Sequence, residues 1–504
     1  MREKIITDTL LLNSSALLCQ GVGIAQTLLI MHFLDPYFYG IWIGLNIVLM
    51  YATYAHLGTE YGFAIRLPYY QGQNKAEEAL KISDSGYFVW SIMTAICAVS
   101  VLVYGICSPK FSEFERIALI VIAGLMISEQ QIIFLTRWQS SALKDFKLSS
   151  VLSGLRSLVT FCVLVPTTYL FDVKGLMLGT LLVSIIFVIV WWIKTSYRFR
   201  FRISISSIIE MIRIGFPVML VCICGQLIET VDRILIISLL GPASLGCYAV
   251  TGLGGNALYG LVSQAGSAIS PHMPGELGRN NDFAPCLKKY LVKPTVLFSY
   301  IMLALLMILA IVVPLIVLKF LPKYILGIKA FYCFLPGFFF LGIILTANNI
   351  LNIVLISRKR QRWLVYFQVI PIIIEVGLGV WFIQLGWNIA GVALASTISY
   401  ALYGGVILWW TSRYVLPDWQ EHLVFMGEVM TPFFIVLTVS CLIVWFGQKV
   451  IPQHLLLRGC VQLIVCTFFL IPLAFRLNCK TGVFNDVKAI IEAVARRFQK
   501  IEIV

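Results

Sequence analysis

The stretch Leu34-Asp35-Pro36-Tyr37-Phe38-Tyr39-Gly40-Ile41-Trp42 returns as Leu240-Gly241-Pro242-Ala243-Ser244-Leu245-Gly246-Cys247-Tyr248. Each copy is a short loop between two long apolar runs. The register holds beyond the loop without gaps: Gln20 falls on Gln226, Pro68 on Pro274, Gly72 on Gly278 and Asn74 on Asn280. Pro and Gly match where both segments turn, which is where backbone geometry constrains residue type most. A repeat of this length in an apolar chain predicts two similar membrane bundles, the design by which many transporters build a site between halves.

Of 504 residues, 60% are hydrophobic and only 12% charged, against roughly 25% charged in soluble domains. About 20 apolar residues span a bilayer core, and such runs recur along the whole length. The expected fold class is an all-α polytopic membrane protein of about 14 transmembrane helices. The spans run near 7–33, 39–57, 84–108, 115–136, 149–171, 174–193, 208–239, 245–270, 292–318, 328–356, 363–385, 389–411, 429–448 and 455–475. Residues 1–200 and 201–415 are read as two six-helix lobes of one orientation. Residues 416–504 are read as an additional helix pair with a cytoplasmic tail.

Lys and Arg set the orientation. With both termini inside, roughly 28 of the 38 fall in cytoplasmic segments and roughly 8 in outer ones. Lys319, Lys323 and Lys329 form the one dissenting outer loop. The net charge of +14 is therefore mostly positive-inside bias, which argues against nucleic acid and for contact with anionic membrane lipids. The segment after Met1-Arg2-Glu3-Lys4 is too long for a signal core and reads as the first span. Trp near span ends reads as interface anchoring, and Pro217, Pro314, Pro336, Pro371, Pro432 and Pro472 as kinks. The 13 Cys are scattered and read as packing residues. No metal-ligand spacing, phosphate loop or cofactor signature is read. Gly252-Leu253-Gly254-Gly255 lacks the flanking strand of a dinucleotide fold and reads as close helix packing.

Charge inside a span costs several kcal/mol by most scales, so each case needs a reason. The seventh span carries Gln226, Glu229, Asp232 and Arg233. On a continuous helix Gln226, Glu229 and Arg233 share a face, with Glu229 and Arg233 in the favourable order for an intrahelical pair. They read either as a self-neutralised pair or as the polar wall of a cavity. Gln20 occupies the repeat position of Gln226, making the first and seventh spans candidate cavity walls. Arg156 either snorkels to the inner surface or faces a cavity. Glu129 and Glu375 are isolated acids. Either carries a coupling proton, as Glu229 and Asp232 also could, or serves simple pairing, such as Glu129 with Arg156. Asn348 and Asn352 stack on one face of the tenth span and suit interhelical hydrogen bonds. Trp387, beside an outer loop, is a weaker candidate for stacking on a sugar.

These residues resemble a family. Ile214-Gly215-Phe216-Pro217, Val231-Asp232-Arg233 and Leu239-Leu240-Gly241-Pro242 look like the start of the second half in polysaccharide flippases of the MOP superfamily. Pro36, Gly40-Ile41-Trp42, Leu57-Gly58, Arg66 and Gln71-Gly72-Gln73-Asn74 are similar in the first half. In length and span count the chain resembles the Wzx-type O-antigen flippases. The resemblance implies two lobes in a V, alternating access and no enzymatic activity. It implies a cargo of undecaprenyl-pyrophosphate-linked oligosaccharide moved across a bacterial inner membrane. Arg66, Arg156 and Arg233 would suit the pyrophosphate, and Gln20, Gln226, Asn348 and Asn352 the sugars. A polysaccharide polymerase and chain-length proteins would be partners. The rival readings are a cation-coupled drug antiporter of the same superfamily and a membrane polymerase or ligase of lipid-linked sugars. The last pair of spans argues against the antiporter, and the lack of a large external loop against the polymerase.

Overall fold

The computed structural model describes residues 2–107, 112–139, 146–195, 200, 203–269, 283–357 and 362–450, with isolated positions between 465 and 475. The described residues are helical and contain no strand. The helices are α1 (Arg2–Phe33), α2 (Pro36–Ala52), α3 (Thr59–Gly72), α4 (Ala76–Cys107), α5 (Glu113–Trp138), α6 (Phe146–Lys194) and α7 (Ile205–Ile228). They continue as α8 (Val231–Leu239), α9 (Pro242–Ile269), α10 (Phe283–Phe320), α11 (Gly327–Ser357), α12 (Arg362–Gln384), α13 (Asn388–Val415) and α14 (Trp419–Val450). Among the described residues, ten helices are long and apolar enough to cross a membrane. The chain is a multi-pass membrane protein. Its α6 is 49 residues long, about 74 Å at 1.5 Å per residue, or twice a bilayer core. Its backbone leaves helical geometry at Phe171 and Asp172, so α6 makes two crossings, as the fifth and sixth expected spans require. The fourteenth expected span, 455–475, lies almost wholly outside the described residues.

Two expected spans are built differently. The second expected span ends at residue 57. There a 3₁₀ turn (Thr53–His56) and a left-handed Leu57-Gly58 pair lead into α3, and α4 begins at Ala76. The seventh expected span, 208–239, is not one helix. It breaks between α7 and α8 at Glu229-Thr230, where Thr230 has φ −132° and ψ −10°. Both breaks lie in polar sequence, where side chains compete with the helix for backbone hydrogen bonds.

The contacts define two compact units that do not coincide with the two sequence copies. The first comprises 1–250, 320–327 and 364–392. Its core lies where α1, α2, α5 and both halves of α6 meet, around Leu34, Leu125, Leu135, Leu176 and Trp191. A second cluster joins α3, α4, α5 and α7 through Phe63, Trp90, Phe134, Trp138 and Met211. Within this unit the two repeat loops cross each other reciprocally. A Cβ on Gly40 would collide with the Pro242 carbonyl oxygen, and a Cβ on Gly246 with that of Pro36. Each copy's Gly thus receives the other copy's Pro turn, a local two-fold that only hydrogen side chains permit. Segment 320–327 seals the same end. Tyr324 donates to the Leu34 carbonyl at 3.1 Å, burial pushing its phenol pKa up. Lys323 pairs with Asp35 at 2.7 Å, which gives one lysine of the dissenting loop a local counter-ion.

The second unit comprises 251–319, 328–363 and 393–504. Phe331 and Phe338 of α11 pack on Gly254 and Gly255 of α9, where a Cβ would lie 2.9 and 2.7 Å from their rings. The Gly-rich patch thus serves close helix packing. Phe339 stacks on Phe433 of α14 at 4.5 Å.

Candidate functional site

The polar groups of the first unit fall into three places. The first is the α7–α8 break. Thr230 Oγ1 donates to the Gln226 carbonyl at 2.7 Å, capping an acceptor that the break leaves without its helical donor. Tyr51 of α2 reaches the same hydroxyl at 2.6 Å. Two residues on, Asp232 accepts from the Tyr248 hydroxyl at 2.7 Å and from the Arg233 backbone N–H at 2.7 Å. Glu229 and Asp232 both act electrostatically on Arg233, which in turn acts on Tyr39. The ion pairs among the described residues do not include Arg233. The intrahelical Glu229–Arg233 pair, one of the two readings the sequence left open, is therefore not made, because the break at Thr230 removes the continuous helix that its spacing assumed. Gln226 lies just before the break, on α7.

The second place joins α5 to both halves of α6. Arg156 Nη2 donates to Glu129 Oε1, which also accepts from Ser184 Oγ at 2.5 Å. Both charged side chains are a little under one-third exposed. The cation is thus neutralised within its own helix group.

The third place is α3. Arg66 Nε lies 2.7 Å from Glu210 Oε1 of α7, and Tyr70 donates to both carboxylate oxygens at 3.0 and 3.1 Å. At the other end of α3, Glu60 lies 2.9 Å from Arg137 Nε and 3.1 Å from His56 Nε2. The sequence reading missed His56, Glu60, Arg137 and Glu210. The i, i+4 spacing of His56 and Glu60 was an available signal. Arg137 and Glu210 had none, because their partners are distant in sequence.

The remaining nominated residues are not gathered at one point. Gln20 is half-buried on α1, whose main partner is α6, whereas α7 runs along α3. Glu375 is fully buried on α12, two turns from Gln368, itself close to Gly225 of α7. Asn348 and Asn352 lie outside the described side chains. Trp387 stacks on Phe382 at 5.0 Å and 7°.

Known folds resemble this arrangement. A solved lipid II flippase, MurJ, in an inward closed conformation shares 16% identity, covers 92% of this chain and 98% of its own, and superposes with a TM-score of 0.65. A Vibrio cholerae MATE transporter shares 13%, covers 82% and 97%, and scores 0.58. A MOP superfamily transporter from Pyrococcus furiosus shares 15%, covers 81% and 95%, and scores 0.55. At these identities the likeness concerns the fold. No curated protein matches the sequence. Residues 33–325 match the family described as polysaccharide biosynthesis protein. That match spans more than half of the chain, and the protein belongs to that family.

Proposed function

We propose that the protein is a flippase. It would move undecaprenyl-pyrophosphate-linked oligosaccharide repeat units from the cytoplasmic to the periplasmic leaflet of a bacterial inner membrane, by alternating access between two six-helix lobes. The carrying observation is a conjunction: a polysaccharide biosynthesis family match on a transporter fold. A pathway that assembles sugars on a lipid and delivers them across a membrane needs a transporter at that step. O-antigen of lipopolysaccharide is the expected product class, with a polymerase and chain-length proteins downstream. Both termini are assigned to the cytoplasm on the Lys and Arg distribution.

Arg233 is the proposed pyrophosphate cation. Of the three nominated arginines, Arg66 and Arg156 already hold carboxylates within ion-pair distance. Glu229 and Asp232 balance Arg233 when no cargo is bound and compete with the pyrophosphate, which lets it leave. Gln20 and Gln226 are proposed to serve the sugars.

The antiporter reading draws support from the MATE folds. The MATE matches cover 80–82% of this chain, whereas the flippase covers 92%, so the longer architecture favours lipid-linked cargo. The test is translocation in proteoliposomes, with undecaprenyl-pyrophosphate oligosaccharide loaded in one leaflet and scored at the other. Protein-dependent exposure is expected. Its absence, with an authentic repeat unit and an imposed ion gradient, would shift the assignment to ion-driven efflux of small molecules.

A further inference from the structure

The break between α2 and α3 is closed by one titratable ring. Leu57 and Gly58 are left-handed, with φ of 51° and 85°. His56 stands immediately before them and is 1% exposed. Its Nδ1 accepts the Gly58 N–H at 3.0 Å. Its carbonyl accepts from Thr59 Oγ1 at 2.8 Å. Because Nδ1 accepts, the neutral ring carries its proton on Nε2, 3.1 Å from Glu60 Oε2.

A second proton has one place to go. It must sit on Nδ1, where it would face the Gly58 N–H. Forming the imidazolium therefore breaks the hydrogen bond that closes the left-handed turn. That turn has a mechanical neighbour. A Cβ on Gly58 would lie 2.6 Å from the Phe216 backbone nitrogen, so the break rests directly on the α7 main chain.

Two charged groups stand by the ring: Glu60 and, 2.9 Å from the same carboxylate, Arg137 of α5. Trp90 of α4 lies 5.3 Å from the ring, and Tyr61 of α3 lies 5.9 Å from it. Tyr54 of the 3₁₀ turn donates to the Cys222 carbonyl of α7 at 3.4 Å. Glu229 acts electrostatically on Tyr54. Phenol and thiol are neutral near pH 7, so Glu60 and Arg137 are the charges that stand beside the ring.

We propose that His56 is a proton-binding site of the transport cycle, and that taking a proton on Nδ1 releases Gly58 and frees the α2–α3 break to rearrange against α7. The proton comes from water on the more acidic side and is returned to water on the other. No bond changes except the N–H. The proposal rests on the transport reading and supplies its coupling ion. Two of the acids nominated from sequence hold partners: Glu129 binds Arg156 and Ser184, and Asp232 binds Tyr248.

The test uses His56→Asn. A side-chain carbonyl here can still accept from the N–H two residues on but cannot take a proton. Purified full-length protein is compared with this variant by amide hydrogen exchange between about pH 5 and pH 8, after correction for intrinsic exchange. In the parent, protection of the peptide spanning Leu57–Tyr61 should fall as pH drops. In the variant it should not change with pH. In proteoliposomes, the ratio of flipping rates with and without an imposed pH gradient should exceed unity for the parent and fall to unity for the variant. A parent peptide whose protection ignores pH, or a variant that keeps the gradient response, overturns the proposal. If the parent flips nothing while its peptide still responds to pH through His56, the flippase reading fails and the proton site stands.

Discussion

The two helix breaks of the first unit cap their backbone alike but match their charges differently. Both interrupt a helix and must satisfy the backbone groups released. At the α2–α3 break His56 takes the Gly58 N–H, and its acid Glu60 is shared between His56 and Arg137 of α5. At the α7–α8 break Thr230 caps the Gln226 carbonyl, and Tyr51 of α2 and Tyr248 of α9 hold the side chains of Thr230 and Asp232. Its one cation, Arg233, is left without an ion pair among the described residues. A break whose charges are matched can serve as a hinge. A break that leaves a guanidinium unpaired beside two acids can serve a ligand.

Substitutions at the two breaks sharpen that contrast. The largest effect on folding is expected for Gly58→Val. A β-branched residue resists the left-handed region, and its Cβ meets the α7 backbone, so a loss of roughly 3 kcal/mol or more is expected. Thermal unfolding in detergent measures it, and a near-parental midpoint would mean that the break relaxes freely. Arg137→Gln removes one of the two partners of Glu60, a carboxylate 8% exposed. Arg137 is itself 53% exposed, so about 1–2 kcal/mol is expected after screening. A matched loss in Glu60→Gln, not additive in the double variant, would confirm the pairing. Tyr51→Phe takes one hydroxyl from Thr230 and should cost about 1 kcal/mol. Arg233→Gln should move the unfolding midpoint least while abolishing translocation. If it instead unfolds the protein and the folded fraction transports normally, the two breaks are both structural and the contrast collapses.

The repeat crossing offers an independent check on the fold. Gly40→Ala and Gly246→Ala each drive a methyl into a carbonyl of the other copy, and each should destabilise by about 1–3 kcal/mol. Since both act on one crossing, their double variant should lose less than the sum.

Much of the fold was legible in the amino-acid order. Apolar run length gave the helices, because a bilayer imposes a minimum span. The repeat showed which turns correspond, because Pro and Gly mark backbone geometry directly. The Gly252–Gly255 patch was recognisable as packing because it lacked the context of a nucleotide loop. Glu129 with Arg156 was one of two open readings, and the structure makes that pair. Three things depended on tertiary structure. The Glu229–Arg233 spacing looked like an ion pair only while the helix was assumed continuous, and Tyr51, 179 positions from Thr230, lies against the break in it. Arg66 was nominated for the pyrophosphate and is matched in space by Glu210 of a different helix. His56 was one of five scattered histidines until the left-handed turn brought the Gly58 N–H onto its ring. Hydrophobic periodicity is local, so sequence carries it. The neutralisation of a charge depends on what folding brings within about 4 Å, where an ion pair forms, and the chain order alone does not fix that.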